Sequence, residues 1–76
     1  MDAKKATKIV LDYFQTVSGS CGPIGFAIES ATIEGDQWNV KCSFWDFFGA
    51  RKRSIYEVYI VDSTESIQVI KKIGEQ

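Results

Sequence analysis

The chain contains no histidine, and that absence removes more chemistry than any residue present supplies. Without imidazole there is no Ser-His-Asp or Cys-His nucleophilic arrangement, no histidine metal ligand and no histidine proton relay. Only two cysteines occur, Cys21 and Cys42, outside any CxxC spacing. Two thiolates cannot build a four-thiolate zinc site, and the pair reads as free thiols of a reducing cytoplasm. Cys21 beside Gly22-Pro23 would be a reactive thiol if exposed, but no neighbouring cation lowers its pKa. One proline and six glycines leave no flexible linker. Gly19, Gly22 and Gly25 precede a strand instead of a helix and lack a following lysine-serine pair, so they do not form a phosphate cradle.

Long apolar runs and a dominant charge sign are also missing. The uncharged stretch Phe14–Ala27 is interrupted by Gln15, Thr16 and the turn residues 18–23, which excludes a bilayer span. The first residues, Met1 to Lys5, lead into an amphipathic segment, so no secretory signal is expected. Nine cations against ten acids give a formal charge of −1. A domain that grips phosphate backbones through bulk charge is strongly basic, so nucleic acid is the lesser candidate partner. No cofactor is expected.

What remains is ordinary globular composition, 45% hydrophobic and 25% charged, over 76 residues. The expectation is one α+β domain over 1–76. A chain of this length buries only about 60–65% of its unfolded surface, enough for one thin core and no deep cleft. Two tryptophans, three tyrosines and five phenylalanines give that small core large side chains.

Residues 3–18 read as a helix. Ala6, Ile9, Val10, Tyr13 and Val17 form an apolar stripe with Leu11 and Phe14 on its flanks. Asp2 is the expected N-cap and Gly19 the expected stop. Four strands follow, at about 25–34, 37–45, 53–62 and 66–73, with Gly35-Asp36 as a two-residue hairpin turn. In the last segment Ile67, Ile70 and Lys71 also fit a helical step. The predicted architecture is one N-terminal helix packed on a four-stranded antiparallel meander.

Pairing the second and third strands around the loop 46–52 sets Trp38 against Ile60, Val40 against Val58 and Cys42 against Tyr56 on the helix side. Asn39 then faces Tyr59, Lys41 faces Glu57 and Ser43 faces Ile55 on the other side. A one-residue slip destroys both patterns. The first strand breaks parity: paired through Gly35-Asp36, it turns Glu29 inward with Phe26 and Ile28 outward. A β-bulge near Glu29-Ser30 restores it and leaves Glu29 exposed beside the bend, as a solvated charge or a site acid.

The outer face then carries Trp45, Ile55, Tyr59 and Val61, joined by Ile67 with Val69 or by Ile70 alone. It is more apolar than a water-facing sheet usually is. A second copy of the chain, another protein or the long loop would cover it. The loop itself, Trp45 to Arg53, sets aromatics beside three consecutive cations. Trp45 can stack on Arg53, and aromatic with arginine side chains are the ingredients of binding hot spots. The same mixture suits nucleic acid or an anionic membrane surface. Alternatively Phe47 and Phe48 fold back over the open end of the core. Asp46 with Glu57 could act as an acid pair, or remain surface charges. Lys4, Lys5, Lys8, Lys71 and Lys72 read as solvated.

The run Gly35-Asp36-Gln37-Trp38-Asn39-Val40-Lys41, followed by Tyr56-Glu57-Val58-Tyr59-Ile60-Val61-Asp62, resembles the W-x-V and Y-E-V strand pair of gas-vesicle accessory proteins of the O type. It is also similar to the Y-E-V strand of PepSY-like domains. The resemblance implies a helix-plus-meander fold, broadly cystatin-like, and carries over no functional residue. The chain departs from both families, lacking an arginine- and tyrosine-rich C-terminal ending and a second PepSY unit.

The functional expectation is a non-enzymatic interaction or accessory domain, its candidate site residues being Trp45, Phe47, Phe48, Arg51, Lys52, Arg53, Ile55 and Tyr59. Its expected partner is another protein or itself, as a homodimer. The alternatives are nucleic-acid contact through Arg51, Lys52 and Arg53, and a small-ligand pocket lined by Cys42, Tyr56 and Tyr13.

Overall fold

The computed structural model describes residues 1–18 and 23–76. Helix α1 (Ala3–Ser18) precedes four strands, β1 (Ile24–Glu34), β2 (Gln37–Trp45), β3 (Ser54–Val61) and β4 (Ser66–Glu75). The strands pair antiparallel in the order β1-β2-β3-β4, the predicted α+β meander. The expected helix stop at Gly19, the turn residue Gly22 and the Cys21 thiol lie outside the described residues. Among the described residues no helix is long and apolar enough to cross a membrane.

Asp2 caps α1 as expected: its Oδ1 accepts the Lys5 amide at 2.8 Å, and its carbonyl accepts the Ala6 amide at 3.0 Å. The buried stripe differs from the sequence reading. Ala6, Val10 and Phe14 are buried, while Tyr13 is 38% and Val17 64% exposed. Four-residue steps, not three, set the face, and Phe14 lies at its centre instead of its flank. The reason is a ring cluster: Phe14 lies 4.9 Å from Phe44, 5.3 Å from Tyr56 and 6.2 Å from Phe26, centroid to centroid.

Opposite the helix, Trp38, Val40, Cys42 and Phe44 alternate along β2 and meet Val58 and Ile60 of β3, all buried. The β2–β3 register is the one predicted, pairing Trp38 with Ile60, Val40 with Val58 and Cys42 with Tyr56. The predicted bulge in β1 is present between Ile28 and Ser30 and leaves Glu29 as the extra residue. A second bulge, not anticipated, lies between Ile24 and Ala27. Together they turn Phe26 and Ile28 toward the helix.

In β4 the strand reading holds, but neither expected face does. Register shifts sit at Gln68 and at Ile73. The first shift lets Ile67 pair with Ile60 and Ile70 with Val58, so both join the core side, while Val69 opposite Tyr59 turns outward alone. An extra residue changes parity within one strand, which an uninterrupted alternation cannot do.

The two ends of the sheet differ. At one, the turns 35–36 and 62–65 are tied together, with the Asp36 carbonyl accepting the Asp62 amide at 2.8 Å and the Asp36 carboxylate accepting the Ser63 amide and hydroxyl. The other end holds the loop 46–53. There Arg53 exchanges backbone hydrogen bonds with Gln76 at 2.7 and 2.9 Å.

Candidate functional site

The eight nominated residues separate into two patches. Trp45, Arg53, Ile55 and Tyr59 are half-buried and belong to the outer sheet face or its border. Phe47, Phe48, Arg51 and Lys52 are exposed in the loop beyond the strand ends.

The sheet patch is organised by Arg53. Its guanidinium carbon lies 4.5 Å from the centroid of the Trp45 ring. Its Nε donates to Ser43 Oγ at 3.0 Å and its Nη2 to the Ser43 carbonyl at 2.9 Å. Nη2 also donates to the Gly25 carbonyl. Ser43 Oγ in turn donates to Glu29 Oε1 at 3.1 Å. Glu29 is therefore exposed as expected, yet one of its carboxylate oxygens is engaged through the bulge that carries it.

This arrangement depends on Gly25. Its φ of +64° is a left-handed conformation, and the Trp45 ring lies directly over it. A Cβ there would fall 2.6 Å from Trp45 Cε3 and closer still to Cζ3. Gly25 and Ser43 were not among the sequence candidates. The available signals were a glycine at the start of a strand and a small serine opposite Ile55, which leaves room for a long side chain.

Farther along the same face, Lys41, Glu57 and Lys71 form a row across β2, β3 and β4. Lys71 Nζ lies 3.7 Å from Glu57 Oε1 and 5.5 Å from the Tyr59 ring centroid. The Tyr59 hydroxyl donates to Glu57 Oε1. That hydrogen bond, aided by Lys71 and Lys41, holds the Glu57 carboxyl below its usual pKa. The same bond raises the Tyr59 hydroxyl. Val69 is 45% exposed beside Tyr59, and Gly74 opposite Ile55 adds no side chain to cover it. Asn39 Oδ1, on this face between Thr32 and Tyr59, is buried without a hydrogen-bond partner.

The loop patch behaves differently. Phe47 is 64% and Phe48 90% exposed, so neither ring folds back over the core. Asp46 turns away to accept the Ser54 hydroxyl at 2.6 Å, and the proposed acid pair is not assembled, since Glu57 is engaged by Tyr59 and Lys71. The three consecutive cations do not act as a set either. Arg51 and Lys52 are exposed, whereas Arg53 is spent on Trp45, Ser43 and Gly25.

The cavity that the small-ligand alternative would need, lined by Cys42, Tyr56 and Tyr13, is not seen among the described residues; the Phe14 ring packs 5.3 Å from Tyr56, between helix and sheet. Cys42 is fully buried there, and burial, with a smaller contribution from Glu29, pushes its thiol up to about 12. Compared with known proteins, the chain matches no family model, no curated protein and no solved structure.

Proposed function

We propose that this chain is a small non-enzymatic interaction domain whose outer sheet face, bordered by Trp45 and Arg53, takes up a second copy of itself, with the tip of the loop 45–53 as a separate contact surface that this association does not use. The observation supporting it is that Trp45, Ile55, Tyr59, Val61 and Val69 share a face on which no helix or strand is packed among the described residues. Isolated outward apolar residues are ordinary; five on one sheet face are not.

The size and charge of the face suit a copy of the chain. Four strands about 4.8 Å apart and about eight residues long present roughly 500 Å² in projection, before side-chain relief is added. That approaches the ~800 Å² of accessible surface per partner of a standard interface. The Lys41-Glu57-Lys71 row alternates in sign, so a two-fold axis through it can set an acid of one copy against a cation of the other.

Sedimentation velocity at two protein concentrations tests the proposal. The wild-type chain should sediment faster at the higher concentration. Val69→Lys, which places a cation on the face at a position already 45% exposed, should stay monomeric at both. A wild-type chain that is monomeric throughout refutes self-association, and a Val69→Lys chain that still associates refutes this face.

A further inference from the structure

We propose that the tip of the loop Asp46–Lys52 is a docking site for an anionic lipid surface, distinct from the sheet face. The claim rests on the juxtaposition of two exposed rings, Phe47 and Phe48, with the exposed cations Arg51 and Lys52 at one end of an elongated molecule.

Phe48 is 90% exposed, and Phe47 next to it 64%. Two consecutive rings in water at a loop tip are an apolar surface awaiting a non-aqueous environment. Gly49, with φ +92°, turns the chain immediately after them. Arg51 and Lys52 have no ion-pair partner among the described residues. Of the nearby acids, Asp46 accepts from Ser54 and Glu75 is paired with Lys72 at 2.8 Å, and both border the same hollow as Arg51 and Lys52. Exposed rings and exposed cations in one loop match the headgroup region of an anionic bilayer, apolar within and negative at the surface.

Charge along the molecule favours one orientation. The turn segments 34–37 and 61–66, joined to each other at the far end, carry Glu34, Asp36, Asp62 and Glu65 and no cation. The start of α1 adds Lys4, Lys5 and the N-terminal ammonium, 3.6 Å from Asp62, against Asp2, which leaves this end acidic by two charges. The loop 46–53 holds three cations against one acid, and the adjoining end of β4 adds the pair Lys72 and Glu75, four cations to two acids in all. An overall charge of −1 conceals this sorting. A negative surface attracts the loop end and repels the turn end.

A bilayer fits better than the other two occupants. The tip is about seven residues long with only shallow, open hollows on it, too small to supply the ~800 Å² that a stable protein interface needs from each partner. A nucleic-acid groove needs a row of cations tracking the backbone, and here Arg53 is folded away onto Trp45.

The test is co-sedimentation of the full 76-residue chain with phosphatidylcholine vesicles, with and without phosphatidylserine, at low and high salt. The chain should pellet with the phosphatidylserine vesicles at low salt, weakly with phosphatidylcholine alone, and less at high salt. Each cation near such a surface multiplies partitioning by roughly five-fold. Arg51→Glu with Lys52→Glu should therefore lower it by more than roughly twenty-fold. Phe48→Ser, at a position with nothing to unpack, should lower it several-fold with an unchanged circular dichroism spectrum. No binding to phosphatidylserine vesicles, binding untouched by either variant, or preferential binding to a single-stranded oligonucleotide overturns the assignment. The two proposals fail separately: Val69→Lys should leave vesicle binding intact, and Phe48→Ser should leave sedimentation unchanged.

Discussion

Gly25 is where one missing atom decides the geometry of a patch. Gly25→Ala combines a left-handed backbone with a direct collision on the Trp45 ring. Gly35 has nearly the same φ, +62°, but nothing lies within 4 Å of its added Cβ. Gly35→Ala should thus lose only the conformational term, about 1–2 kcal/mol. Gly25→Ala should lose that and the stacking of Trp45 with Arg53, about 2–4 kcal/mol in total. Thermal unfolding of the two variants side by side measures the difference; equal losses would mean that the ring contact contributes nothing. Cys42 makes a second prediction at this scale. Burial raises its thiol from 9.0 to about 12, so the folded chain holds the proton that the unfolded chain releases. Its contribution to stability is therefore complete below pH 9 and lost as pH climbs toward 12. Urea denaturation across that window should show a shallower fall for Cys42→Ala than for wild type, and parallel curves would contradict it.

Single elements show how much the sequence discloses. The β2–β3 register was legible because both faces constrained it at once: Val40 against Val58 requires a dry side, and Lys41 against Glu57 a wet one. The Glu29 bulge was legible for the same reason, since only an extra residue could take a carboxylate out of line with Ala31 and Ile33. The Gln68 bulge was hidden. Ile67, Val69 and Ile70 are all apolar, so no parity conflict marks where the strand shifts. The helix face was read one residue off, because Phe14 and Tyr13 are both aromatic and only the ring cluster on the sheet chooses between them. That choice has an energetic counterpart. Phe14→Ala should cost about 3–5 kcal/mol, a large share of what a domain of this size possesses. Phe48→Ser should change stability by no more than about 0.5 kcal/mol. Urea midpoints report both; a small loss at Phe14 would mean that the helix is held by something other than its ring.

For the whole molecule, the sequence supplied the ingredients of the candidate site but not their division. Trp45 to Arg53 is continuous in the chain, and nothing in its order says that Arg53 folds back onto the sheet while Phe48 points away from it. That division follows from Gly25, twenty residues before Trp45, which no local reading connects to the loop. It also gives the Val69 and Phe48 variants separate meanings, since one acts on the broad side of the sheet and the other at its end. Sites without shared contacts respond independently, so combining the two should remove self-association and vesicle binding together without further loss of stability.

Trp38 and Trp45 stand seven residues apart in β2, an odd interval along a strand without bulges, and so look out on opposite sides. The first indole is nearly dry, its Nε1 donating to Asp62 at 2.8 Å. The second is half in water beneath a guanidinium. The chain thus carries two native fluorophores with unlike surroundings: loosening of the helix registers as a red-shifted signal from the first, and anything settling over the arginine registers at the second, with no dye attached.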